Sequence, residues 1–206
     1  MSGIVSASTG WRGVDDDAAE AGRYLETVTR LLARFKRKSI DMLNPATGLS
    51  GPDVGCGLGR DAETILAETG GRVICIDASQ ELIAQAVERT QAMTPGPEFY
   101  VGDALALQFD ENTFDVCRID CVLQHLNAPT QAVAELLRVT RAQCRVSALD
   151  TDWHTLAIAG GDIAVAQAVT RHRAFVASSQ GDIGRRLVQL LMDAGCENVE
   201  VEPVVV

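Results

Sequence analysis

Only 4% of the 206 residues are aromatic, three are histidine, and no apolar run approaches the length of a membrane span. A bilayer-crossing helix needs about 20 consecutive apolar residues, so no transmembrane helix and no membrane partner are expected. The opening stretch, MSGIVSASTGWRGVDDD, lacks the basic-then-apolar order of a secretory leader, which makes the cytoplasm the expected compartment. The six cysteines, at 56, 75, 117, 121, 144 and 196, include no CxxC pair. Most sit in apolar, strand-like runs, so they read as buried reduced thiols, and their spacing offers no metal site. Positive charge is scarce too: 18 Lys and Arg face 28 Asp and Glu, a formal net charge of −10. That balance argues against a nucleic-acid backbone as the main partner. The one basic cluster, Arg30 to Lys38, lies on a helical pattern and reads as a solvated face.

What the chain does have is alternation. Val28, Leu31, Leu32 and Phe35 fall at helical spacing in a segment running to about Met42 and stopped by NPATG. Strand and helix patterns then take turns. A strand precedes Gly55, and a helix carrying Ala62, Ile65 and Leu66 ends at Gly70–Gly71. The strand RVICID, the helix SQELIAQAVERTQA and the strands EFYV and TFDVCRI follow. The helix PTQAVAELLRVT leads to the strand CRVSALD, then come the helix GRRLVQLLMDAG and a sixth strand, VEVEPVVV. Apolar strands without alternation, separated by helices, predict a mostly parallel sheet covered on both faces, a doubly wound α/β fold. The expected plan is a helical cap at 1–44 and an α/β domain at 45–206, with a helical insertion at 151–183. In such sheets ligands sit beyond the C-terminal strand ends.

The stretch PDVGCGLGRD, residues 52–61, packs three glycines into five positions between a strand and a helix. A glycine turn opening a helix exposes free N–H groups to an anion or admits a ligand against the backbone. A dinucleotide loop needs G-x-G-x-x-G. Gly55 and Gly57 fit it, but Arg60 holds the third position and glycine comes one residue early at Gly59, which disfavours an NAD-dependent oxidoreductase. Asp77 closes the second strand, where a carboxylate either accepts two ribose hydroxyls or caps the helix starting near Ser79. Asp103, after Gly102, is either a turn residue or a second ligand group.

DVGCGLG resembles motif I of the class I S-adenosylmethionine-dependent methyltransferases, D/E-x-G-x-G-x-G. The resemblance covers residues 45–150 and is strongest to the small-molecule, quinone- and polyketide-modifying type. It implies a Rossmann-like methyltransferase fold with S-adenosylmethionine as cofactor. Asp53 would help hold the cofactor's cationic amino end, and Gly55, Cys56, Gly57 and Gly59 would form the floor beneath it. Asp77 and Ala78 would meet the ribose. Gly102 and Asp103, with the Ala104 N–H, would meet the adenine. FDVCRIDCVLQHL completes the likeness: the backbone at Arg118 and Ile119 would face the amino group, with Gln124 and His125 bordering the reacting methyl.

Three departures stand out. Gly51–Pro52 replaces two aliphatic residues in the first strand, Ala142–Cys144 replaces a P-G-G turn, and no sequence remains for the family's seventh strand. The first two suggest a less stable or atypical member, and an uncovered last strand invites a homodimer. His125 and His154 are the candidate catalytic residues, with Asp150 and Asp152 as orienting groups or an alternative base. Trp11, Tyr24 and Trp153 are candidates for an apolar lid. The resemblance implies methyl transfer to an O, N or C atom of a small apolar metabolite. The alternative is a catalytically silent cofactor-binding protein of the same fold.

Overall fold

A computed structural model describes residues 18–44 and 48–203, with side chains from residue 22 onward; Trp11 and the acidic run Asp15–Asp17 lie outside the described residues. The elements are α1 (Ala18–Met42), β1 (Gly51–Val54), α2 (Arg60–Thr69), β2 (Val73–Asp77), α3 (Gln80–Thr90) and β3 (Glu98–Val101). β4 (Phe114–Asp120), α4 (Pro129–Val139), β5 (Thr140–Leu149), α5 (Ile163–Phe175) and α6 (Ile183–Asp193) complete the order. Short 3₁₀ turns at Leu123–His125 and Trp153–Thr155 follow β4 and β5. All strand pairs are parallel and the sheet order is β3-β2-β1-β4-β5.

Strand alternation explains the two faces. Ile74 and Ile76 join Val54, Ile119, Val133, Leu136, Ile183 and Leu190 in one core, under α4 and α6. Val73 and Cys75 join Ala62 and Leu66 in the other, under α2. Each fully buried aliphatic side chain contributes about 1.5–3 kcal/mol, so a five-stranded sheet lined this way holds its shape without metals or disulfides. The chain order reverses between β1, whose next strand is β2, and its other neighbour β4. The C-terminal ends of these two strands therefore flank the crevice where ligands bind in open α/β sheets. No helix among the described residues is long and apolar enough to cross a membrane.

Two departures from the family pattern have local causes. A Cβ at Gly51 would meet the Val116 carbonyl oxygen at 1.8 Å, so β4 approaches β1 as only glycine permits. The Gly51 and Gly55 N–H groups donate to Arg72 and Ile76 of the β2 side. By alternation Pro52 faces β4, where pairing begins only at Asp53, so its missing donor falls in a gap of the ladder. At the start of β5 no turn replaces the P-G-G sequence. α4 runs straight into the strand, residues 141–144 bulge between the pairs Phe114–Thr140 and Val116–Arg145, and Gln143 takes a left-handed φ of 66°.

The expected sixth strand, VEVEPVVV, is not found over its described part, and Val204–Val206 lie outside the described residues. Residues 199–203 have no strand pairing; Val201 is exposed, Glu202 is drawn to Lys38 as an ion pair, and Pro203 interrupts donation. Among the described residues β5 is one edge of the sheet and β3 the other.

Candidate active site

The crevice begins at the bend after β1. Gly55 turns with φ 74°, and a Cβ there would lie 2.1 Å from Val122 Cγ2; any other residue would collide with the segment leaving β4. The Gly55 and Cys56 N–H groups donate to the Ile76 carbonyl at 2.7 and 3.1 Å, and the Gly57 N–H donates to Asp77 Oδ2 at 2.8 Å. Asp77 Oδ1 accepts from the Ser79 N–H at 2.9 Å, while the Ser79 hydroxyl caps α3 by accepting from Leu82. One carboxylate thus ties the glycine bend to the end of β2, and its lone pairs outnumber the backbone donors at Gly57, Ser79 and Ala78. Burial raises the Asp77 pKa, and the backbone donors at Ser79 and Gly57 oppose the shift. Next along the edge, the Gly102 N–H donates to the Asp77 carbonyl, and Asp103 accepts from the Leu105 N–H at 2.9 Å. Ala78 lies between Asp77 and Ser79, and Ala104 packs partly against the main core. Asp77 and Asp103 therefore lie along one edge, beside the glycine bend.

The β4 side is built differently. Asp53 and Arg118 are register partners on adjacent strands, so their side chains share a face, the one covered by α1. Arg118 is 1% exposed. Its Nη1 donates to Asp53 at 2.8 Å, Nη2 donates to Asp61 at 3.0 Å and to Asp120, and Nε donates to the Ser39 hydroxyl. From α1, Lys36 reaches Asp61 at 2.6 Å, and Ser39 donates to Asp120 at 2.8 Å. Three carboxylates face two cations. The surplus is felt at Asp120, whose carboxyl is pushed up to about 6 by burial against the attraction of Arg118. Burial also raises Asp53, whereas at Asp61 the pull of Arg118 and Lys36 outweighs burial and lowers the pKa.

The roles implied for Asp53, Arg118 and Ile119 meet specific geometry. Asp53 is buried with an oxygen on Arg118. The Ile119 side chain lies in the core, leaving its backbone as its available part. β4 runs one residue past its pairing with β1, which stops at Val54–Ile119, and ends at Asp120. Asp120 Oδ1 is buried without a hydrogen-bond partner. This unmatched acceptor, in a cluster one positive charge short, suits a ligand ammonium group. Sequence reading passed over Asp120, although the logic that singled out Asp77, an acid closing a parallel strand, applies to it equally.

Beyond β4 and β5 the two 3₁₀ turns meet. Gln124 accepts from the Trp153 indole N–H and the Ser178 hydroxyl, and its carbonyl accepts from the Gln180 N–H. Asp150 accepts from the Gln124 and Thr151 N–H groups at 3.1 and 2.8 Å; burial pushes it up to about 7. His125 is half-buried, and desolvation, helped by the Arg173 charge, lowers it to about 4. His154 is exposed, its ring 4.7 Å from that of Phe175. The structure therefore gathers Gln124, Trp153 and Asp150 around one junction with His125 on the adjoining turn, and turns His154 outward. Tyr24 is half-buried on α1, and the neighbouring Leu25 lies 3.3 Å from where a Cβ on Gly57 would sit.

Residues 52–148 match the methyltransferase domain family. Those residues, just under half of the chain, form a methyltransferase domain similar to the class I S-adenosylmethionine-dependent enzymes. It is 39% identical over 172 residues to an uncharacterized 37.1 kDa protein in transposon TN4556 of Streptomyces fradiae, covering 82% of this chain and 50% of that one. A demethylmenaquinone methyltransferase of Renibacterium salmoninarum is 34% identical over 108 residues, covering 52% of this chain and 44% of its own length. The chain thus spans about half the length of the curated relatives it matches. A solved S-adenosylmethionine-dependent methyltransferase from Aquifex aeolicus shares the fold, with a TM-score of 0.60, 19% identity and 78% of each chain covered. The five-stranded sheet described above is that of this methyltransferase family.

Proposed function

We propose that this protein transfers the methyl group of S-adenosylmethionine to an oxygen, nitrogen or carbon atom of a small apolar acceptor. The observation that carries the reading is Asp77, fixed by the Gly57 and Ser79 N–H groups with acceptor sites to spare beside a bend that only glycine can form. Such a carboxylate suits the two hydroxyls of a ribose. Asp103, with the Ala104 N–H, would hold the adenine, flanked by Gly102 and Ala78. Gly55, Cys56, Gly57 and Gly59 would lie beneath the nucleoside. The free oxygen of Asp120 would take the ammonium group, joined by Asp53 through Arg118 and by the backbone at Arg118 and Ile119. The bound cofactor supplies an activated methyl on a positively charged sulfur. The protein then has to align and desolvate the acceptor.

His125 is the candidate to contact the acceptor, since its lowered pKa keeps the ring neutral at neutral pH and so suited to a hydrogen bond with an uncharged or anionic acceptor. His154, stacked towards Phe175 at the rim, would border the entrance instead of doing the chemistry. The quinone substrate class named for the Renibacterium relative makes quinol-like aromatics the first acceptors to try. The test is transfer of isotope-labelled methyl from the donor to a panel of small phenols and quinols. Label appearing in an acceptor supports the reading. Cofactor binding with no transfer to any member would favour the silent binding protein.

A further inference from the structure

This inference rests on the methyltransferase reading and concerns the acceptor. Among the described residues, every lysine or arginine that is at least partly buried has a carboxylate partner, with one exception. Lys36 meets Asp61, Lys38 meets Glu202, Arg89 meets Glu63, Arg138 meets Glu135, and Arg118 meets three aspartates. Arg173, half-buried on α5, has none. Its guanidinium lies 4.9 Å above the Trp153 ring instead. Carboxylates are not lacking nearby, but they are directed elsewhere. Asp152, next to Trp153, is clamped by Arg185 through two hydrogen bonds at 2.6 and 3.1 Å. Asp150 is occupied by backbone N–H groups.

In a chain of net charge −10, a partly desolvated guanidinium without an anion is an open valence. A ring face satisfies a cation only in part, and the planar fork matches a carboxylate or a paired oxygen anion best. The position also fits, since Trp153 donates to Gln124, the neighbour of His125, on the ligand side of the sheet. We propose that Arg173 pairs with an acidic oxygen of the acceptor, so that the substrate is a small aromatic or apolar molecule bearing a carboxylate or an ionised hydroxyl, its ring against Trp153. The nearby bases point the same way. His125, at about 4, is weakly basic, and Asp150 is half-buried, with each oxygen accepting a backbone N–H. An acceptor whose proton has already passed to solvent needs no strong base from the protein.

The test is calorimetry with 2-naphthoate and 2-naphthamide, a pair matched in shape and differing in charge, with and without S-adenosylhomocysteine. The wild type is expected to bind the naphthoate roughly 10- to 100-fold more tightly than the amide. Arg173→Gln should abolish that preference while keeping its melting temperature and its S-adenosylhomocysteine affinity. Arg173→Lys, which keeps the charge without the fork, should fall between the two. Equal affinities in the wild type, no binding of either probe, or an intact preference in Arg173→Gln would overturn the proposal. Preference for naphthoate without any S-adenosylhomocysteine binding would leave the anion site standing and remove the methyltransferase reading.

Discussion

The two sides of the crevice hold their acids in opposite ways. On the β2–β3 side, Asp77 and Asp103 are held by backbone N–H groups within a few residues or one strand away, and they keep acceptor sites for a ligand. On the β4 side, Asp53, Asp61 and Asp120 are gathered around one buried arginine, and α1 supplies the remaining cation and hydroxyl. Backbone donors position a carboxylate without neutralising it, whereas a guanidinium does both. On the proposed reading the first side takes neutral hydroxyls and a ring, and the second a charged group that completes the count.

Breaking the arginine should have the largest effect. Arg118→Met leaves the buried Asp53 and Asp120 without their main cation, and losing one partner of a buried ion pair costs about 3–5 kcal/mol; a lowered urea midpoint is expected. Asp77→Ala acts on the other side. It should weaken S-adenosylhomocysteine binding about 10- to 100-fold, as expected for charged hydrogen bonds, with a smaller stability loss than Arg118→Met.

A pH series probes the same contrast more gently. Asp150 and Asp120 have folded pKa values of about 7 and about 6, above the unfolded carboxylate range. Each thus stabilises the fold when protonated and loses that contribution as pH rises through its folded value. His125 works in the opposite direction, but only below its unfolded pKa near 6.5. The urea midpoint should therefore fall from about pH 4 to about pH 7, with His125 offsetting part of the fall below its unfolded pKa, and level off above that range; Asp150→Asn should flatten the fall. The smallest effect is expected at the β5 bulge. Gln143→Gly relieves a left-handed side chain on an exposed edge and should stabilise by about 0.5–1 kcal/mol, read as a small rise in melting temperature.

The same contrast explains what was legible in the sequence. Asp77, Ser79 and the glycine bend are local chemistry: an acid ending an apolar run, a capping hydroxyl, and a cluster of glycines. The α/β alternation and the parallel sheet were readable for the same reason. The arginine cluster was not, because Asp53 and Arg118 meet only through strand register, and Lys36 and Ser39 arrive from a helix that packs on the sheet from outside the motif. Gly51 and Pro52 depart from the strand pattern for reasons that lie in β4, the close approach of Val116 and a gap in the ladder. VEVEPVVV has strand composition, yet its charges and proline left residues 199–203 unpaired beside Lys38.

The most direct test is a side-by-side calorimetric titration of the wild-type protein with S-adenosylhomocysteine and with NAD. The account predicts one-to-one binding of the first and no heat from the second. Binding of NAD, or no binding of S-adenosylhomocysteine, would contradict it.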